Sequence, residues 1–351
     1  MKRVAILCGG MSSEHEISCI SAGGVIGAID RTKYLPILIG ITKSGHWVHI
    51  TEDFPLHIVD GVLPVIPEDA PAIVTDISGF TLNGENLKID IVFPVLHGPF
   101  GEDGTVQGML EMAGLPYVGS GVLASAVAMD KSFAKPIFSS HGLKVAAGIT
   151  VTAEQWKSGA AQVTRDAASL TYPLFVKPAR GGSSRGTSKV KSEGDLSAAM
   201  DEALKFDNKV MIENAVVGAE IECAVLEIDG AAQASVVGKI SIDPKFEFYD
   251  FQAKYLDGAT TIELPAPIDS KISDEIRALA VTAFKALGCK GLARVDFFLT
   301  PNNEIIINEL NTMPGFTATS VFPKMWAATG VNYTEIISHL LLNAQSSPIT
   351  K

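Results

Sequence analysis

Continuous apolar runs broken by glycine mark the first third of the chain. Val4 to Cys8 is an unbroken apolar run, the pattern of a strand buried on both faces of a parallel sheet. Gly9-Gly10-Met11-Ser12-Ser13 then turns into a helix, with Ser13 and Glu16 at capping-box spacing and Ile17, Ile20, Val25 and Ala28 as its apolar stripe. Strands are predicted over 35–41 and 89–94 and a helix over 104–113, so strands alternate with helices as in an α/β layer. A second unit opens on a helix that starts at Met129-Asp130-Lys131-Ser132 and ends at His141-Gly142. Strands over 146–152 and 172–177, a polar hairpin over 180–187, a helix over 194–205 and a strand over 209–213 follow. The remainder holds strands over 220–228 and 234–240, a long irregular stretch over 242–267, an amphipathic helix over 273–287 and a last strand pair. Irregular stretches of that length are often lids or binding loops. The expected division is 1–129, 130–212 and 213–351.

The last strand pair carries the chemistry. Its first strand reads Gly291-Leu292-Ala293-Arg294-Val295-Asp296-Phe297-Phe298-Leu299, its second Glu304-Ile305-Ile306-Ile307-Asn308-Glu309-Leu310-Asn311. Side chains alternate faces along a strand, so Arg294 shares a face with Asp296, and Glu309 with Asn311. Paired as a hairpin with those faces matched, two carboxylates, an amide and a guanidinium converge, a hard-oxygen set that suits Mg²⁺. A surface hairpin with a salt bridge is the bland alternative.

Other polar clusters punctuate the apolar runs. Lys177 precedes Ala179-Arg180-Gly181-Gly182-Ser183-Ser184-Arg185-Gly186-Thr187, where Gly181 and Gly186 have GxxxxG spacing but Thr187 replaces a Walker lysine. Placed between two strands, this segment reads as a glycine-rich flap whose N–H groups and hydroxyls can wrap phosphates. Glu213 ends a strand and Glu220 begins another, where carboxylates can accept from an adenine amino group and ribose hydroxyls, although solvated strand-end glutamates are common. Lys131 near a helix start, where the dipole disfavours a cation, hints at an anion. His97 and Glu102 follow one apolar strand and Glu14 and His15 another, and ligands of open α/β sheets bind beyond such strand ends. His97 reads as a positioning residue, not a base. Tyr249-Asp250-Phe251-Gln252-Ala253-Lys254-Tyr255 is an aromatic and cationic cluster suited to covering a site, or to anchoring its own loop.

Composition narrows the class. The chain has 351 residues, 47% hydrophobic and 19% charged, with a net charge of −11, which argues against a nucleic-acid partner. Cys8, Cys19, Cys223 and Cys289 form no CxxC pair and read as buried, reduced thiols. The start of the chain is too soon broken by glycine for a signal peptide, and no apolar run is long enough for a membrane span. A cytoplasmic enzyme is expected. The missing GxGxxG weakens a nicotinamide oxidoreductase, and paired metal carboxylates beside a guanidinium weaken a nucleotide-binding module without catalysis.

Taken in order, Gly9-Gly10 to Ser18, Leu96-His97-Gly98 to Gly104, Gly119-Ser120-Gly121, Met129-Asp130-Lys131, Lys177-Pro178 to Ser184, Gln252 to Tyr255 and Arg294 to Gly315 resemble the ATP-grasp superfamily and, within it, the D-alanine-D-alanine ligase family. The resemblance spans nearly the whole chain. It implies a three-part α/β and α+β ATP-grasp architecture with an N-terminal Rossmann-like parallel sheet layer, and ligation of two D-alanines through D-alanyl phosphate for peptidoglycan precursors. ATP and two Mg²⁺ or Mn²⁺ ions are implied, with K⁺ activation open, and a homodimer is expected. Lys131, Lys177 and Lys254 would hold phosphates under Ser183 and Ser184, with Glu213 and Glu220 on adenine and ribose and Asn308 among the nucleotide contacts. Asp296, Glu309 and Asn311 would bind metal. Glu14, tied to Ser183 and Tyr255, would hold the first D-alanine, near His97 and Glu102. Arg294 and the Gly315 backbone would stabilise an oxyanion, and Ser320 and Val321 would meet the second D-alanine. Tyr255 favours a dipeptide over a depsipeptide product. Asn214, where lysine is usual, and Arg185, where an apolar residue is usual, depart from the family pattern. A ligase with D-lactate or D-serine as acceptor is the rival within the superfamily.

Overall fold

The structure, a computed structural model, describes residues 1–242 and 260–346. The N-terminal part runs β1 (Lys2–Gly9), α1 (His15–Ala28), β2 (Tyr34–Ile41), β3 (Trp47–Ile50), β4 (Ile73–Asp76), β5 (Gly79–Leu82), β6 (Glu85–Asn86), β7 (Ile91–Pro94), α2 (Thr105–Met112) and α3 (Val122–Met129). β1 is central in a sheet of order β3-β2-β1-β7, parallel to both neighbours, which explains its unbroken apolar run. β3 is an antiparallel edge strand, and β4, β5 and β6 form a small separate sheet that the apolar pattern does not announce.

Next come α4 (Lys131–Ser140), β8 (Gly148–Thr152), α5 (Ala153–Ala167), β9 (Leu174–Pro178), β10 (Ser188–Val190), α6 (Leu196–Ala203) and β11 (Lys209–Asn214). Their sheet is antiparallel, of order β10-β9-β11-β8. The glycine-rich segment joins β9 to β10 as expected. The division expected between 212 and 213 falls inside β11.

The last part holds β12 (Ala219–Ile228), β13 (Ala231–Ile242), β14 (Thr260–Glu263), α7 (Ser270–Ala286), β15 (Leu292–Leu299), β16 (Ile305–Asn311), α8 (Val321–Thr329) and α9 (Tyr333–Ser346). Its antiparallel sheet has the order β14-β13-β12-β15-β16. β14 lies within the stretch expected to be irregular.

The largest core crosses these parts. Ile6 and Phe93 from the first sheet pack in one cluster with Leu226 of β12, Phe316, Trp326 of α8 and Leu340 of α9. The loop leaving β16 is thereby fixed against α1 and the first sheet. Gly24 of α1 permits that approach, because a Cβ there would meet the Tyr333 hydroxyl at 2.8 Å and the Phe316 carbonyl at 3.5 Å. All four cysteines are free and buried, as expected.

Two expectations for α1 fail. The helix begins at His15, and Glu14 stands at its N-cap without a side-chain capping bond, so Ser13 and Glu16 form no capping box. Glu16 instead pairs with Lys43 at 2.5 Å. The buried face is His15, Ser18, Cys19, Ser21, Ala22 and Val25, with Ile17 and Ile20 only half-buried. Polar side chains occupy this face because they serve loop backbone. Ser18 Oγ accepts from the Gly9 N–H at 2.9 Å and donates to the Val95 carbonyl. His15 Nδ1 lies 2.7 Å from the Gly10 carbonyl, and its Nε2 accepts from the Ile66 N–H at 3.0 Å.

Candidate active site

β15 and β16 pair with Arg294 opposite Asn311 and Asp296 opposite Glu309, the matched-face register that alternation predicts. A bulge follows, because Phe297 faces Ile307 and leaves Asn308 as the extra residue. Asn308 and Glu309 consequently line the same cavity, and Asn308 Oδ1 accepts from Lys177 Nζ at 3.3 Å.

Arg294 lies along Asp296. Its Nε and Nη2 donate to Oδ1 and Oδ2, each at 2.8 Å. Asn311 Nδ2 donates to Asp296 Oδ2 at 3.0 Å, and Glu222 of β12 comes within 3.3 Å of Arg294 Nε. Lys131 Nζ lies 3.0 Å from Glu309 Oε2 and donates to the Gly181 carbonyl at 2.8 Å, joining the hairpin to the flap. Each acidic side chain of the hairpin thus has a cation beside it. Asp296, Glu309 and Asn311 supply the hard oxygens a divalent cation prefers, and they are the residues that could hold one. Among the described residues no cluster of three His, Cys, Asp or Glu side chains offers another site.

A cavity of about 440 Å³ lies between the β9–β11 and β12–β16 sheets and is lined by the flap, Glu220 and Glu222. At its inner end the Glu213 carboxylate is shared by two ammonium groups. Lys177 Nζ lies 2.8 Å from Oε2, and Lys135 Nζ pairs with Oε1. Glu213, Lys135 and Lys177 have side chains 4%, 5% and 13% exposed, so the three charges depend on one another. Burial pushes the Glu213 carboxyl up, but Lys177 and Lys135 outweigh it and bring it to about 2. Burial pulls Lys135 down to about 8, with Lys177 adding repulsion. Burial also pulls on Lys177, where Glu213 prevails and leaves its pKa raised.

Flap residues Ser183 and Ser184 have φ of +52° and +54°. Ser183 Oγ donates to Glu14 Oε1 at 2.7 Å, the predicted link between flap and first loop. Tyr255, Lys254 and the rest of the 249–256 cluster lie outside the described residues.

His97 and Glu102 act on backbone. Glu102 accepts from the Gly98 N–H at 2.8 Å and from the Met313 N–H at 2.9 Å. His97 Nδ1 lies 3.0 Å from the Met313 carbonyl and its Nε2 3.0 Å from Ser21 Oγ. Both polar groups of Met313, two residues before Gly315, are therefore held by one loop. Burial lowers the pKa of His97 and raises that of Glu102 to about 7. Beyond Gly315, Ser320 Oγ accepts from the Thr317 N–H at 3.1 Å and would stand 3.3 Å from a Cβ at Gly315. Val321 opens α8 beside it.

Residue-by-residue reading missed Lys135 and Glu222. Lys135 stands four residues after Lys131 on one helix face, and Glu222 two after Glu220 on one strand face, so spacing alone flags both.

Models of the "D-ala D-ala ligase N-terminus" and "D-ala D-ala ligase C-terminus" families match residues 3–120 and 137–342. The chain belongs to the D-ala D-ala ligase family. A D-alanine–D-alanine ligase of Pseudarthrobacter chlorophenolicus is 48% identical over 98% of this chain and 95% of its own length. One of Streptomyces coelicolor is 45% identical over 99% and 94%. Among solved structures, the VanG D-Ala:D-Ser ligase from Enterococcus faecalis superposes with a TM-score of 0.86 at 38% identity, covering 98% of this chain and 99% of that one. The D-alanine-D-alanine ligase from Coxiella burnetii does so at 0.83 and 35%, covering 98% and 94%. The expected ATP-grasp architecture holds, with its parallel sheet layer at the N-terminus.

Proposed function

We propose that this chain is an ATP-dependent ligase that joins two D-alanine molecules through D-alanyl phosphate, supplying the dipeptide for peptidoglycan precursors. The observation that carries the reading is the β15–β16 register, which sets the Arg294 guanidinium, the Asp296 and Glu309 carboxylates and the Asn308 amide against a cavity roofed by a glycine-rich flap. The family membership and the dipeptide ligases among its relatives support the same reading.

A carboxylate is a poor electrophile, so ATP first converts it to an acyl phosphate, and that step crowds anions together. Lys131 and Lys177 line the cavity and reach the phosphates beneath Ser183 and Ser184, with Lys254 as a third cation. The adenine amino group donates to Glu213 as Lys177 turns from it to phosphate, the ribose hydroxyls meet Glu220, and Asn308 guides Lys177. Asp296, Glu309 and Asn311 would hold Mg²⁺ or Mn²⁺, which would neutralise phosphate charge. Glu14, oriented by Ser183 and Tyr255, takes the ammonium group of the first D-alanine. The free amine of the second D-alanine attacks the acyl carbon, the tetrahedral oxyanion is met by Arg294 and the Gly315 N–H, and its collapse breaks the C–O bond to release inorganic phosphate while the new amide nitrogen gives up its proton. His97 and Glu102 position Gly315 through Met313. Ser320 and Val321 border the second D-alanine, and Tyr255 disfavours a depsipeptide. The three-part division, a homodimer and a cytoplasmic location complete the reading. No described helix is long and apolar enough to cross a membrane.

Incubation with ATP, Mg²⁺ and D-alanine, with phosphate quantified and products resolved by mass, tests it. D-alanine-dependent phosphate release with an equal yield of dipeptide is expected. D-alanyl-D-serine or depsipeptide as the main product when those acceptors compete at equal concentration would overturn the acceptor assignment.

A further inference from the structure

Lys135 has no part in the scheme above, yet it is one of the most deeply buried cations beside the cavity. It lies on α4 one turn after Lys131, and the two side chains serve different sheets. Lys131 bonds the flap and Glu309 of β16, whereas Lys135 reaches Glu213 on β11. Other ion pairs nearby, Lys209 with Asp130 and Arg180 with Asp207, do not join two residues of the cavity wall, whereas Lys135 and Glu213 both line it.

We propose that Lys135 is a positioning residue that holds the Glu213 carboxylate ionised and oriented toward the nucleotide base, and so sets the preference for adenine over guanine. The inference deepens the ligase reading and rests on it only in taking the cavity ligand to be a purine nucleotide. A buried carboxylate without a cation protonates or turns away, because desolvation penalises its charged form. Of its two ammonium partners, Lys177 also reaches Asn308 Oδ1 at 3.3 Å on the phosphate side of the cavity. Once Lys177 is drawn to phosphate, Lys135 is the cation left with Glu213. An ionised carboxylate is an acceptor only. It takes a hydrogen bond from the adenine 6-amino group and repels the 6-oxo group of guanine. A protonated carboxyl can donate to that oxo group, so losing Lys135 erodes discrimination between the bases and does more than weaken binding.

The test is calorimetric titration of ADP and GDP against wild type, K135Q and K135R, with thermal melts alongside. A hydrogen bond to a charged group contributes about 1.5–3 kcal/mol, or roughly ten- to hundredfold in affinity, and the GDP/ADP Kd ratio of K135Q should fall by that factor. K135R keeps the charge, and its ratio should stay within about threefold of wild type, a change under 1 kcal/mol. A merely structural pair would lower the melting temperature and weaken both nucleotides alike. A folded K135Q with an unchanged ratio, or a folded K135R that loses the ratio as K135Q does, overturns the proposal. Should K135Q not fold, the K135R ratio decides. Wild type that binds neither nucleotide refutes both readings. Wild type that prefers ADP but forms no dipeptide refutes the ligase reading and leaves the Lys135 comparison decisive.

Discussion

Replacing Glu102 by alanine should destabilise the protein more in acid than in base. The carboxylate bridges the Gly98 and Met313 N–H groups at 2.8 and 2.9 Å, and burial raises its pKa from 4.5 to about 7. A carboxyl raised on folding contributes stability that is fully present below its unfolded pKa and is lost as pH rises through the folded value. Between pH 5.5 and 8.0 the folded group gives up its proton across about 1.5 pKa units of difference, worth about 2 kcal/mol at 1.36 kcal/mol per unit. Losing the two acceptors costs about 1–3 kcal/mol. E102A is therefore expected to lose about 2 kcal/mol at pH 5.5 and close to nothing at pH 8.0. Urea unfolding of wild type and variant at both pH values measures the double difference. An equal loss at both, or a larger one at pH 8.0, would refute the reasoning that burial dominates this carboxyl. Because Glu102 holds Met313 ahead of Gly315, kcat should also drop while ADP affinity holds.

Four further perturbations follow from the same geometry. Ser183→Ala removes the 2.7 Å bond to Glu14 and should raise the KM for D-alanine about tenfold, with a melting temperature near that of wild type. Asp296→Asn takes one charge from the hairpin and should cut Mg²⁺-dependent turnover by at least roughly 10–100-fold, with ADP affinity in EDTA near that of wild type. Gly186→Ala puts a Cβ 2.5 Å from Phe206 at a φ of +70° and should slow turnover, a loss that F206A recovers only in part because the backbone strain of about 1–2 kcal/mol stays. Phe316→Ala empties a site whose ring centroid lies 5.8, 5.9 and 5.5 Å from those of Phe93, Phe322 and Tyr333, and should cost about 3–5 kcal/mol in chemical denaturation.

How much of this was legible depends on whether chain-local pattern or tertiary context decides each feature. The Asp296–Glu309 register was legible, because strand alternation admits only two pairings and only one gathers the polar residues. The bulge at Asn308 was not, since an inserted residue leaves no mark on alternation. α1 was located but its face misread, because His15 and Ser18 point inward to satisfy loop backbone and Ser21 to meet the His97 ring, and hydropathy counts all three as outward. The flap was legible from glycine and serine between two strand runs, and its bond to Glu14 came from the family resemblance. The i, i+4 spacing flags Lys135, but its pairing with Glu213 stayed hidden because that anion is 78 residues away on a strand. The backbone task of Glu102 was hidden too, since its partner Met313 lies 211 residues downstream.

The central claim is that the β15–β16 hairpin activates one D-alanine as an acyl phosphate for attack by another. Following the fate of oxygen tests it most directly. With D-alanine labelled by ¹⁸O in its carboxylate, one labelled oxygen should pass to each inorganic phosphate released while dipeptide forms. Unlabelled phosphate alongside dipeptide would mean that no acyl phosphate forms and would contradict the account.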